Sequence, residues 1–161
     1  MKFLLKINFI LIALCFSVFS KVSYANKAFI TNEKDNTVSV LDVKKMKVID
    51  TVKVGQRPRG IIISNDGKLV LICASDDDRV EVRDVETMKL KYILPSGPDP
   101  ELMVLSPDDS VLYIANEDDA MVTVVDMADK MIIDDIPVGV EPEGMGPVSY
   151  THLRAHETAC Y

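Results

Sequence analysis

The 161-residue chain has no tryptophan, only 6% aromatic residues and two histidines. Its three cysteines, Cys15, Cys73 and Cys160, are too few and too scattered for a disulfide scaffold or a zinc knuckle. Basic charge is short as well. Lys and Arg number 18 against 25 Asp and Glu, a formal net charge of −7, and no block of bases occurs. Phosphate backbones need clustered Lys and Arg, so nucleic acid is excluded as a partner. Seven glycines and eight prolines are ordinary numbers, which excludes collagen-like and low-complexity chains.

Both ends read differently from the middle. Lys2 and Lys6 precede an apolar stretch from Phe9 to Phe19 that only Ser17 interrupts, and Ser23-Tyr24-Ala25 offers small residues for cleavage. This is the layout of a secretory signal peptide over residues 1–25. Its apolar core is too short to span a membrane comfortably. Leu14 stands before Cys15 where lipidation needs a small residue. The expected mature protein is therefore periplasmic or otherwise exported, with no membrane span after cleavage. At the other end, residues 147–158 read PVSYTHLRAHET and resemble the in-frame translation of a transposase adapter from shotgun sequencing libraries. Residues 147–161 are expected to be a non-native tail. His152, His156 and Glu157 have helical metal-pair spacing but fall inside it. Residues 26–146 then hold 14 basic and 24 acidic residues, a net charge of −10, and a single cysteine, Cys73.

This middle segment repeats with a period of 42 residues. Asp42, Asp84 and Asp126 each close an alternating apolar run: TVSVLD, RVEVRD and MVTVVD. Gly55, Gly97 and Gly139 keep the same spacing, and so do Pro58, Pro100 and Pro142. A second run precedes each Asp: KAFITN, LVLICA and VLYIAN. Each repeat reads as four short strands. In the second, Gly60 to Ser64 is a continuous apolar run suited to a strand buried on both faces. Asn65-Asp66-Gly67 is a hairpin turn, Leu69 to Ala74 the second strand, and Ser75 to Asp78 a polar turn. Arg79 to Asp84 alternates as a half-exposed strand should, and Lys89 to Leu94 is a more polar fourth strand. No helical periodicity competes after Ala25.

Four up-and-down strands in about 40 residues form one blade of a β-propeller. The fold class is therefore all-β, with four-stranded antiparallel blades in 42-residue repeats. Residues 26–146 hold just under three blades, while propellers close with about four to eight. The sequence is expected to be a truncated reading of a longer protein. The tail breaks the register, since Leu153 to Glu157 falls where an apolar strand is due.

Loop parity gathers the candidate binding residues. The loops between second and third strands share one end of a blade with the loops that lead to the next blade. The blade-to-blade loops carry Arg57 and Arg59, then Asp99 and Glu101, then Glu141 and Glu143. They lead into the innermost strands, so these charges border the central channel. Two readings stay open. The arginines can grip a carboxylate or an acidic patch, and the carboxylates can hold a hard cation such as Ca²⁺. Alternatively, the loops are solvated turns whose Pro and Gly serve geometry. For Asp76 to Asp78 and Glu117 to Asp119, solvation is the expectation. Cys73 lies in an apolar strand and reads as packing. Residues 26–146 contain no histidine and no Cys-x-x-Cys-His, hence no ligand for c-type haem, no histidine metal site and no Ser/His/Asp set. No catalytic residue, metal site or cofactor is legible.

The strings FITNEKDNTVSVLD and LYIANEDDAMVTVVD resemble the YVTN family of β-propeller repeats. VGQRPRG, LPSGPDPEL and IPVGVEPEG resemble, more narrowly, the periplasmic propeller proteins associated with PQQ-dependent catabolism. The resemblance implies a seven-bladed propeller about twice this length. It also implies a non-catalytic accessory role beside a periplasmic quinoprotein alcohol dehydrogenase or a c-type cytochrome. It supplies no catalytic residue. The alternatives are a propeller-fold enzyme, lactonase-like or haem-d nitrite-reductase-like, and a cell-surface interaction protein.

Overall fold

The computed structural model describes residues 26–146. The readings of a signal peptide and of a non-native tail lie outside them. Among the described residues, eleven strands form three sheets, and every neighbouring pair is antiparallel. The first sheet holds β1 (Lys27–Asn32), β2 (Thr37–Asp42) and β3 (Lys47–Lys53). The second holds β4 (Pro58–Ile63), β5 (Leu69–Ala74), β6 (Arg79–Asp84) and β7 (Leu90–Pro95). The third holds β8 (Pro100–Leu105), β9 (Val111–Asn116), β10 (Met121–Asp126) and β11 (Met131–Pro137). Within each sheet the strands follow chain order, the up-and-down topology of a propeller blade.

The sequence register is also the structural register. Phe29 pairs with Val40, Leu71 with Val82 and Tyr113 with Val124. The ladder to the outermost strand shifts after Val40, Val82 and Val124, one irregularity per sheet at the same place. The repeated aspartates serve the turn that follows. Asp42 Oδ1 accepts the Lys45 N–H at 2.9 Å, Asp84 Oδ1 that of Thr87 at 2.9 Å, and Asp126 Oδ1 those of Ala128 and Asp129 at 2.8 Å. Such short acidic side chains stabilise a turn by standing in for a backbone acceptor. The polar turns before β2 and β6 are single 3-10 turns, Glu33–Asp35 and Ser75–Asp77.

The sheets stack face to face. Val38 and Val40 of the first pack on Val70, Ile72 and Met88 of the second. The opposite face of the second sheet, with Leu71, Cys73, Val80, Val82 and Leu94, packs on Leu112, Ile114 and Val125 of the third. The second sheet is thus covered on both sides, which overturns two expectations. β6 is not half-exposed, because Glu81 and Arg83 are buried as well as the valines between them. They survive burial by pairing, Arg83 Nε to Glu81 Oε2 at 2.8 Å, and Arg83 Nη1 donates to the Met88 carbonyl at 2.9 Å. β4, expected to be buried on both faces, is only partly covered, and Ile63 is exposed. It is the first strand of its sheet and has no strand beyond it there. The best covered strand is β5, buried from Val70 to Ala74.

Candidate functional site

The blade-to-blade loops are tied down before their side chains are considered. Arg57 and Asp99, at equivalent positions, both have left-handed backbone with φ near 50°. The Arg57 N–H donates to Asn36 Oδ1 at 2.8 Å, and the Asp99 N–H donates to Asp78 Oδ1 at 3.0 Å. The carbonyls of the same two residues accept N–H groups from Ser75 and Glu117, at 3.2 and 3.0 Å. Each loop is therefore stitched to the preceding sheet on one side and to its own sheet on the other. The third repeat has Ala120 where Asn36 and Asp78 stand, so the loop carrying Glu141 lacks that side-chain acceptor.

Close approach at these loops depends on glycine. A Cβ added to Gly55 would collide with Ala74 and Asp77, and one added to Gly97 with Asn116. The two positions are register equivalents, so the missing side chain is what lets each loop lie on the next blade.

The side chains of four candidates converge. The Arg57 guanidinium bonds to the Asp99 carboxylate, and its Nε lies 3.0 Å from Asp76 Oδ1. The Arg59 guanidinium is ion-paired with Glu101, lies 3.0 Å from Glu117 Oε2, and reaches to 3.8 Å from Glu33 Oε1. Arg59 thereby links all three sheets. Both arginines are about 30% exposed, whereas Asp99 and Glu101 are 13% and 16% exposed. Its hydrogen bond to the Asp99 carboxylate pushes the Arg57 guanidinium above its ordinary pKa. Carboxylate oxygens of Asp99, Glu101 and Glu117 lie within 4.8 Å of one another, a spacing that would suit a cation. The two guanidinium groups already supply positive charge there. Two arginines stand among five carboxylates, so the cluster keeps an acidic surplus.

Glu141 and Glu143 are not part of this cluster. Both follow β11 and are exposed. Asp76 and Glu117, expected to be merely solvated, belong to it, as does Glu33. Their signal was present in the sequence: loop parity puts them at the same end as the arginines, and pairing needs only that they reach across. Cys73 is fully buried, and burial pushes its thiol up to about 12, so it packs rather than reacts.

No protein-family model matches the chain, and no curated protein does. Solved structures do. The hydrazine synthase of Kuenenia stuttgartiensis superposes with a TM-score of 0.66 at 23% identity, over 72% of this chain and 34% of that one. The dihydro-heme d1 dehydrogenase NirN in complex with DHE superposes with a TM-score of 0.60 at 21% identity, over 71% of this chain and 25% of that one. The chain thus spans about a third and a quarter of the two. At these identities the likeness establishes the β-propeller fold and nothing about chemistry.

Proposed function

We propose that the chain is part of an exported β-propeller that binds a basic partner on its acidic end, as an accessory protein of PQQ-dependent alcohol oxidation. The observation that carries this reading is the ionic cluster. Arg57 and Arg59 are already engaged by Asp76, Asp99, Glu101, Glu117 and Glu33. Paired guanidinium groups have little left with which to grip a substrate carboxylate, whereas the surplus acidity attracts a lysine-rich surface. Such attraction mainly speeds encounter and fades with salt. The resemblance to periplasmic propellers of PQQ-dependent catabolism supplies the partner class, a quinoprotein dehydrogenase or a c-type cytochrome.

The test is a titration of the purified chain with a basic c-type cytochrome and with a quinoprotein dehydrogenase. Binding is expected at low ionic strength, weakening at least about tenfold at 0.5 M salt, where screening is within a few ångströms. Absence of binding to both at low salt would refute the proposal. A second reading, a propeller-fold enzyme of haem-d or lactonase type, draws on the likeness to the dehydrogenase fold. A haem absorbance or lactone hydrolysis in the purified protein would replace the accessory role.

A further inference from the structure

The contact between the first and second sheets has two halves. Phe29, Val38, Val40 and Val52 form one, and Val70, Ile72, Val85 and Met88 form the other. The 42-residue period sets each half once more on an outward face of the stack. Tyr113, Val122, Val124 and Ile136 of the third sheet hold the positions of Phe29, Val38, Val40 and Val52. Ala28, Ile30, Val43 and Met46, on or beside the first sheet, hold those of Val70, Ile72, Val85 and Met88. These second copies are left open where the originals are covered. Met46 is 74% exposed against 4% for Met88, and Ile30 is 42% exposed against 0% for Ile72. Ile136 is 42% exposed as well. Closing such a contact would bury no ion pair, because Ser39 and Leu41 stand where Glu81 and Arg83 do.

A separate feature fits the same two faces together. Gly97 lies against an asparagine and a hydroxyl of the third sheet. Asn116 Nδ2 donates to Thr123 Oγ1 at 2.8 Å, and a Cβ on Gly97 would collide with that amide. The first sheet carries the same pair two repeats earlier, where Asn32 Nδ2 donates to Ser39 Oγ at 2.8 Å. Gly139 is the next glycine of the register, and among the described residues nothing lies within 4 Å of the Cβ it lacks. One end of the stack thus holds a seat for a glycine, and the other end a glycine without its seat.

We infer that the chain binds a second copy of itself head to tail, the third sheet of one on the first sheet of the next, with Gly139 seated on Asn32 and Ser39. The two surfaces differ, so the contact is heterologous and extends from copy to copy unless a ring closes. It uses apolar blade faces, and is independent of the basic partner proposed for the arginine end.

The experiment is sedimentation velocity of the purified full chain, under reducing conditions and over a series of concentrations. The sedimenting mass is expected to rise to at least twice that of one chain. It should not fall at about 0.5 M salt, because screening weakens charge pairs and not apolar contacts. Ile30→Lys puts a charge into the contact from one side and Ile136→Lys from the other, and each should weaken association at least about tenfold. Both positions are exposed, so the circular dichroism spectrum should stay unchanged. Mixed together, the two variants should form one-to-one pairs and nothing larger, since each keeps one unaltered face. Gly139→Leu should weaken association as well while leaving the unfolding midpoint in place. A single-chain mass at every concentration would overturn the inference. So would undiminished association in the folded variants, or a loss caused by substitutions on one face alone, which would mean that like faces meet.

Discussion

Arg57 and Asp99 hold the same position in successive repeats, 42 residues apart, and bond to each other. Arg59 and Glu101 form an ion pair two residues further on. Equivalent positions can attract only when the repeats differ, because two copies of one charge would repel. A double-mutant cycle with Arg57→Ala and Asp99→Ala should show a coupling of about 0.5–1 kcal/mol, falling in high salt, as expected of a partly exposed pair. Strict additivity of the two substitutions in chemical denaturation would mean that the pair does not tie the blades.

Glu81 and Arg83 are ion-paired inside a sheet covered on both faces. Glu81→Ala should destabilise the protein by about 3–5 kcal/mol, since it leaves a buried guanidinium without its carboxylate. The third repeat has Thr123 and Val125 at these positions. Glu81→Thr together with Arg83→Val should recover most of the loss, measured by urea unfolding. A double variant as weak as the single one would contradict this account.

Gly97→Ala should cost about 1–3 kcal/mol, because the added methyl meets the buried Asn116 amide. Gly139→Ala, at the equivalent position, meets nothing within 4 Å among the described residues and should change stability by less than about 0.5 kcal/mol. The contrast between the two midpoints is the measurement. Equal effects would show that the glycines serve something other than blade-to-blade contact.

Asp66 and Asp108 are both held at a pKa of about 2, Asp66 chiefly by the hydrogen bond from Lys68 and Asp108 chiefly by that from Ser106. A carboxyl with a lowered folded-state pKa stabilises fully above its ordinary value of 3.8 and loses that contribution as the pH falls towards the lowered one. The melting temperature should therefore drop between about pH 4 and pH 2. Asp66→Asn and Asp108→Asn should each flatten the drop. A profile identical to that of the unmodified chain would rule out these turns as its source.

The Cys73 thiol, pushed up to about 12, should resist iodoacetamide at pH 8 in the folded protein and react in urea. Peptide mapping distinguishes it from Cys15 and Cys160. Fast alkylation of the native protein at Cys73 would show that β5 opens.

What was legible follows from what a one-dimensional pattern can encode. The spacing of Asp42, Asp84 and Asp126 gave the blade and its length, because a turn needs its acceptor at a fixed distance from the strand. The alternation Val80-Glu81-Val82-Arg83 reads as one wet face. It records polarity, however, and not cover, which depends on the sheet that packs behind. Loop parity brings Arg57, Arg59, Asp99 and Glu101 to one end but does not encode their mutual pairing. Parity names an end of the blade and says nothing of reach between neighbours. For the same reason Asp76 and Glu117 look like solvated turn residues in the sequence alone. Glu141 and Glu143 share the repeat position but lie outside the cluster.

Among the described residues, the left-handed backbone positions are Asn36, Met46, Arg57, Gly67, Asp78, Met88, Asp99, Asp109, Ala120, Lys130 and Glu141. They fall every 10 or 11 residues, one at each turn between successive described strands and the last, Glu141, after β11. A chain punctuated in this way cannot carry a long helix, because L-residues of reversed hand interrupt it before three turns are complete. It is also a sequence of interchangeable hairpins, each able to close on its own in microseconds before any blade-to-blade contact exists. Any of these turns is consequently a natural seam. Opening the chain at Gly67 or at Asp109 cuts a turn and leaves every described strand whole.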